Sequence, residues 1–145
     1  MRLSNISLLL LLFCFANACQ QYSSGLQKGA ARADETSAIA TLRTIAQAQM
    51  TYNVTNSGRY ATFEQLAGAG LLDSRFNRSH PEFHGYIFSM SVSPSDMGSS
   101  IYTCTADPAP TSPRGGRHFY MDGESRDIRV NPSQQATKYD ELYRP

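Results

Sequence analysis

The sequence predicts an α+β domain: one long N-terminal helix and one short helix packed on an antiparallel sheet of three to four strands. Three observations predict it. Apolar residues between 34 and 56 return at three- and four-residue spacing. From residue 84 onward the spacing contracts to two, the period of a half-buried strand. The alternating segments are joined by Gly-, Pro- and Asp-bearing connections, which suit antiparallel neighbours and hold no crossover helix.

Residues 1–18 read as an export leader. Arg2 supplies a short positive region, Ile6 to Phe15 form an apolar run broken by Ser7, and Ala16-Asn17-Ala18 fits the small-x-small pattern of a cleavage site. The run is shorter than the roughly 20 residues a spanning helix needs. Cys19 follows directly, and this resembles a bacterial lipoprotein leader, in which the cysteine is acylated and becomes the first residue. The usual Leu and small residue before it are here Ala16 and Asn17, so lipidation of Cys19 and plain cleavage at the same bond are both open. Lipidation implies a multi-acyl membrane anchor, and Gln20 in place of Asp then favours an outer membrane or the cell surface. Plain cleavage implies a periplasmic or secreted protein. Residues 19–33, polar and Gly-containing, read as a tether.

The domain proper is expected over 34–131. Asp34 and Glu35 suit the positive end of a helix dipole. Ile39, Leu42, Ile45, Ala46, Gln49 and Met50 then share a helical face that Tyr52 and Val54 extend, and Asn56-Ser57-Gly58 ends the helix with Gly58 as C-cap. Thr62 and Gln65 have the spacing of a capping box for a short helix with Phe63, Leu66 and Ala67 inward. Residues 73–84 read as a polar loop. Four strands follow, at 84–92, 100–106, 117–121 and 126–130. Tyr86, Phe88, Met90 and Val92 share one face of the first, and Tyr102, Cys104 and Ala106 one face of the second. The Pro-rich segment 107–116 and a tight turn at Asp122-Gly123-Glu124-Ser125 connect them. Residues 132–145 read as a polar C-terminal tail. The inward face of the first strand is expected to pack on Ile39, Leu42, Ile45 and Met50.

This order of elements resembles the globular region of type IV pilins and of the major pseudopilins of type II secretion. The residues that carry the likeness are AIATLRTIAQAQMTY (38–52), Gly58-x-Tyr60, the segment with Leu66, Gly70 and Leu71, Gly85-Tyr86-x-Phe88, Ala106-x-Pro108, and Arg117-x-Phe119-Tyr120 followed by Asp122 and Ile128-Arg129. The resemblance implies a non-enzymatic cell-envelope protein engaged in protein–protein contacts of a secretion or pilus-related system. The chain lacks the prepilin peptidase site: no Gly precedes the apolar run and the run holds no Glu. That departure argues against polymerisation through the usual filament helix. The alternative is a periplasmic or surface ligand-binding lipoprotein that uses its tyrosines.

Composition narrows the chemistry. A net charge of +1 gives no bulk electrostatic drive toward nucleic acid or anionic lipid. Of three cysteines, Cys14 leaves with the leader. Cys19 and Cys104 can pair in an oxidising compartment only if Cys19 is not lipidated; the favoured reading leaves Cys104 a lone buried thiol. His80 and His84 flank Pro81, which forbids a shared helical turn, so they and His118 read as loop histidines rather than metal ligands. Asp122, Glu124 and Asp127 cluster at a Gly turn. Major pseudopilins bind calcium in a C-terminal loop, so the resemblance makes these three candidate calcium ligands, although the spacing is not that of an EF-hand and Arg126 and Arg129 oppose it. The simpler reading is a solvated hairpin turn, with no cofactor. Arg114-Gly115-Gly116-Arg117 matches no phosphate loop, and no Ser sits in a nucleophile elbow.

Overall fold

The helical period read at 34–56 belongs to a much longer helix, α1 (Leu3–Thr55), in the computed structural model. The structure describes residues 3–94, 100–110, 112 and 116–145, with the backbone alone over 3–24. Residues 19–33, expected as a tether, lie within this helix. Their Gln, Ala, Lys and Arg content favours helix enough to carry Gly25 and Gly29, each of which costs about 1 kcal/mol against Ala. Once the packed half is formed, each added residue gains a hydrogen bond without a new nucleus. Residues 25–29 are exposed, and full burial begins at Ala38.

From there Ala38, Ile39, Leu42, Ile45, Ala48 and Gln49 form the stripe that meets the sheet. Met50, expected in this stripe, is instead 41% exposed, and Val54, expected to extend it, is 81% exposed; the Met50 sulfur accepts from Arg126 Nη1 at 2.8 Å. Each residue turns the helix by about 100°, so position 50 leaves the line through 42, 45 and 49. A polar residue therefore occupies the core. Gln49 is fully buried, donates from Nε2 to Ala61 O at 2.6 Å and accepts from Ala61 N at 3.0 Å.

The helix ends one residue earlier than expected. Ser57 and Gly58 both take positive φ, and Gly58 N donates back to Asn53 O at 3.0 Å, the closure of a Schellman motif. Ser57 thus holds the left-handed position assigned from sequence to Gly58. The short helix α2 (Phe63–Gly68) carries the expected capping box: Thr62 Oγ1 accepts from Gln65 N, and Gln65 Oε1 accepts from Thr62 N.

Among the described residues the sheet has six strands, not three to four: β1 (Glu82–Phe83), β2 (Tyr86–Pro94), β3 (Ser100–Pro108), β4 (His118–Asp122), β5 (Arg129–Asn131) and β6 (Glu141–Leu142), in that spatial order and all antiparallel. Two added strands account for the difference, and the first and last of the expected strands start later than expected. β1 and β6 have two residues each, too few to display a period of two. His84, read as a strand residue, forms with Gly85 the turn between β1 and β2; both have positive φ, as a two-residue hairpin requires. Arg126 also has positive φ, so the last predicted strand cannot start at 126 and begins at Arg129.

Tyr86, Phe88, Tyr102, Cys104, Ala106, Phe119 and Met121 form the buried face of the sheet, with Met90 and Val92 partly buried beside them. The segment 73–84 is more than a polar loop. Phe76, on a single 3-10 turn (Ser74–Phe76), joins Phe63 and Phe83 in a row of tilted rings with centroids 5.6 and 4.6 Å apart. The C-terminal tail is docked too. Asp140 accepts from Thr137 N at 2.7 Å and from Asn131 Nδ2 at 2.8 Å, and Tyr143 packs edge-on against Phe119.

Candidate functional site

Because α1 covers one face of the sheet, the alternate residues of β2, β3 and β4 form the other. Register places Ser89 opposite Thr105, Ser91 opposite Thr103, and Thr105 opposite Tyr120. At one end of this face Asp107 gathers three donors. His118 Nδ1 lies 2.6 Å from one carboxylate oxygen; Thr105 Oγ1 and Gln135 Nε2 donate to the other at 3.0 and 3.1 Å. A carboxylate can only accept, so Nδ1 carries the proton and the ring orientation is set. The two side chains of the pair are 23% and 22% exposed. Among the described residues the His118 ring makes no other hydrogen bond.

A second cluster stands where α1 enters the domain. Arg117 donates to Glu35 three times: backbone N to Oε1 at 3.1 Å, Nε to Oε2 at 3.1 Å and Nη2 to Oε2 at 2.8 Å. Hydrogen bonds to this carboxylate hold the guanidinium above its ordinary pKa range. The guanidinium also lies 5.5 Å from the Tyr143 ring centre and 5.9 Å from that of Phe119. Tyr86 completes the junction by donating its hydroxyl to Arg117 O at 3.0 Å, and burial pushes that phenol's pKa up. Gly116, at φ +155°, is what permits this, because a Cβ there would overlap the Tyr86 hydroxyl.

A groove of about 360 Å³ lies at the opposite end of β3, lined by Tyr60, Ile101, Tyr102, Tyr120, Asp122 and Lys138 among others. Tyr60 and Tyr102 meet edge to face at 4.7 Å. Gly123 lies flat on the Tyr102 ring; a Cβ would come within 2.7 Å of it. The Tyr102 hydroxyl is buried and, among the described residues, has no hydrogen-bond partner; burial pushes its pKa up.

The candidate calcium ligands do not converge. Asp122 Oδ1 accepts from Glu124 N at 3.1 Å, Ser125 N at 2.9 Å and Ser125 Oγ at 3.2 Å, so this oxygen ties its own turn. Glu124 and Asp127 are exposed. Among the described residues no three His, Cys, Asp or Glu side chains gather as a metal site would require. Cys104 is a free thiol, 1% exposed, and burial raises its pKa far above the ordinary thiol range. The side chain of Cys19, with the proposed lipidation, lies outside the described residues, as do Arg114 and Gly115. His80 is exposed beside Ser79, and His84 sits in its turn. Among the described residues no helix is long and apolar enough to cross a membrane.

Sequence reasoning missed both polar clusters. Glu35 and Arg117 are 82 residues apart, and nothing local marks them as partners. Asp107 and His118 are 11 apart across the Pro-rich connection, and only the β3–β4 register brings them together. No family model matches this chain, and no curated protein or solved structure is detectably similar to it.

Proposed function

We propose that this chain is a non-enzymatic cell-envelope protein: a pilin- or pseudopilin-like head engaged in protein–protein contacts of a secretion or pilus-related system. One observation carries the reading. The long helix α1 packs on an antiparallel sheet through its C-terminal part and is exposed over residues 25–29. Such a division leaves the first part of the helix for anchoring and the head for recognition. The head offers a broad polar sheet face and the edge at β1, both suited to contacts that need no cleft.

Export, with Cys19 as first residue, completes the proposal. Intact mass of the protein from its native envelope separates the two routes: acyl chains on Cys19 support an anchored lipoprotein, and an unmodified Cys19 removes that anchor. The contact reading is tested by placing photo-crosslinking residues at Ser91 on the open face and at Arg78 near β1. Discrete adducts with other envelope proteins support it; a chain present in the envelope that forms none at either position overturns it.

A second reading, a surface ligand-binding lipoprotein, draws on the tyrosine-lined groove. Its test is the titration of envelope polysaccharide fragments against Tyr120 and Tyr60 fluorescence, with no saturable change counting against it.

A further inference from the structure

We infer that the junction of α1 with the head carries a cationic collar that rests on an anionic lipid surface. The inference rests on the envelope reading for the chain's location, and on the following observations for its chemistry. Lys28 and Arg32 are one turn apart on the same side of α1 and line a groove of about 550 Å³ with Arg117. Arg117 also lines a neighbouring groove of about 510 Å³ with Arg144, so the two grooves share a wall. The acids in these walls are Glu35 and Glu141. Glu35 is spent on Arg117. Lys28, Arg32 and Arg144 are exposed and, among the described residues, have no ion-pair partner.

The sequence around the collar shows which anion it meets. From residue 1 to residue 33 there is no acidic residue at all, and the charges are Arg2, Lys28 and Arg32. Lys28 lies nine residues beyond Cys19, about 13 Å along a helix, and Arg32 one turn further. A membrane-held segment ending near Cys19 keeps both cations within about 20 Å of the surface, and a helix tilted onto that surface brings them to the headgroups. Tyr143, which lines the first groove, is an aromatic residue of the kind found at that level. The long Lys and Arg stems let the charges reach lipid phosphates while their methylenes stay against the helix. A net charge near zero overall makes this local excess a matter of orientation: it presents the helix end of the head to the membrane and turns the polar sheet face away.

The test is partition of the full chain between buffer and vesicles of phosphatidylcholine alone or of equal parts phosphatidylcholine and phosphatidylglycerol. The ratio of the two partition constants cancels the apolar contribution of residues 1–18, and the charge of Arg2 is the same in parent and variant. Each free cation near an anionic surface is worth about fivefold, so the triple variant Lys28→Gln, Arg32→Gln, Arg144→Gln should lower the ratio on the order of a hundredfold, Glu141 and Arg2 being common to both proteins. Its melting temperature should match the parent's, because all three side chains are exposed. No preference in the parent, or a preference the variant retains, overturns the collar. Inorganic phosphate and sodium chloride at matched ionic strength should weaken binding alike; displacement by phosphate alone identifies a free-phosphate site and overturns the membrane assignment. Because the readout uses no partner protein, a negative result here leaves the crosslinking result standing, and the reverse also holds.

Discussion

Gln49 uses both ends of its side-chain amide on the backbone of one residue, Ala61, accepting from its N–H and donating to its carbonyl. The pair of bonds is what a neighbouring strand would offer. Here a helix side chain supplies it, so the extended segment leading into α2 is satisfied where no sheet partner reaches it.

That relationship predicts the effect of Gln49→Leu. The leucine fits the apolar surroundings but strands two buried backbone groups of Ala61, which is itself fully buried. Each unsatisfied group costs about 1–3 kcal/mol, so denaturant unfolding should show a loss of about 2–4 kcal/mol. A loss below about 0.5 kcal/mol would show that water replaces the amide and that the clamp is incidental.

Leu42→Asp tests the packing of α1 on the sheet. Leu42 is fully buried in the middle of the stripe. An unpaired carboxylate there costs more than a leucine cavity alone, which is about 2–5 kcal/mol. The variant should lack a cooperative melting transition; a soluble protein with an unchanged melting temperature contradicts the packing.

Cys104 should behave as a reporter of unfolding. With its thiol 1% exposed and its pKa raised by burial, it offers neither access nor thiolate at neutral pH. A maleimide should label it only as fast as the domain opens, and denaturant should make labelling immediate. Rapid labelling of the native protein would place the thiol at the surface.

Acid should release the tail before the core. The Thr137 amide, then the side chains of Asn131 and Thr137, hold the Asp140 carboxylate below its ordinary pKa. A depressed carboxylate contributes stability above its unfolded pKa, near 4, and loses it as pH falls through the lower folded value. Hydrogen exchange at 137–143 should therefore rise below about pH 4, while exchange in β3 stays slow. Asp140→Asn should flatten that pH dependence; an unchanged profile would assign the acid limb to other carboxylates.

The periodic elements were legible because each is written in consecutive residues. Ile39, Leu42 and Ile45 announce the helix, Tyr86 and Phe88 the strand, and Thr62 with Gln65 the cap. The expected packing partner Met50 and the strand start at Arg126 were misread for local reasons: one residue of helical rotation, and one positive φ. β1 and β6 had no period to read, since strands of two residues exist only by virtue of the neighbour they pair with.

Sequence alone determined the class of fold, the apolar run from Ile6 to Phe15 behind Arg2 and the absence of acid before residue 34, because periodicity and charge order are properties of neighbours along the chain. The tertiary structure decided what meets what: Glu35 with Arg117, Asp107 with His118, Arg144 beside the groove of Lys28 and Arg32. It also closed Asp122 onto its own turn, leaving that carboxylate oxygen to the donors of Glu124 and Ser125. These contacts join residues from distant parts of the chain, and their energy exists only after burial and strand register have brought the partners within bonding distance.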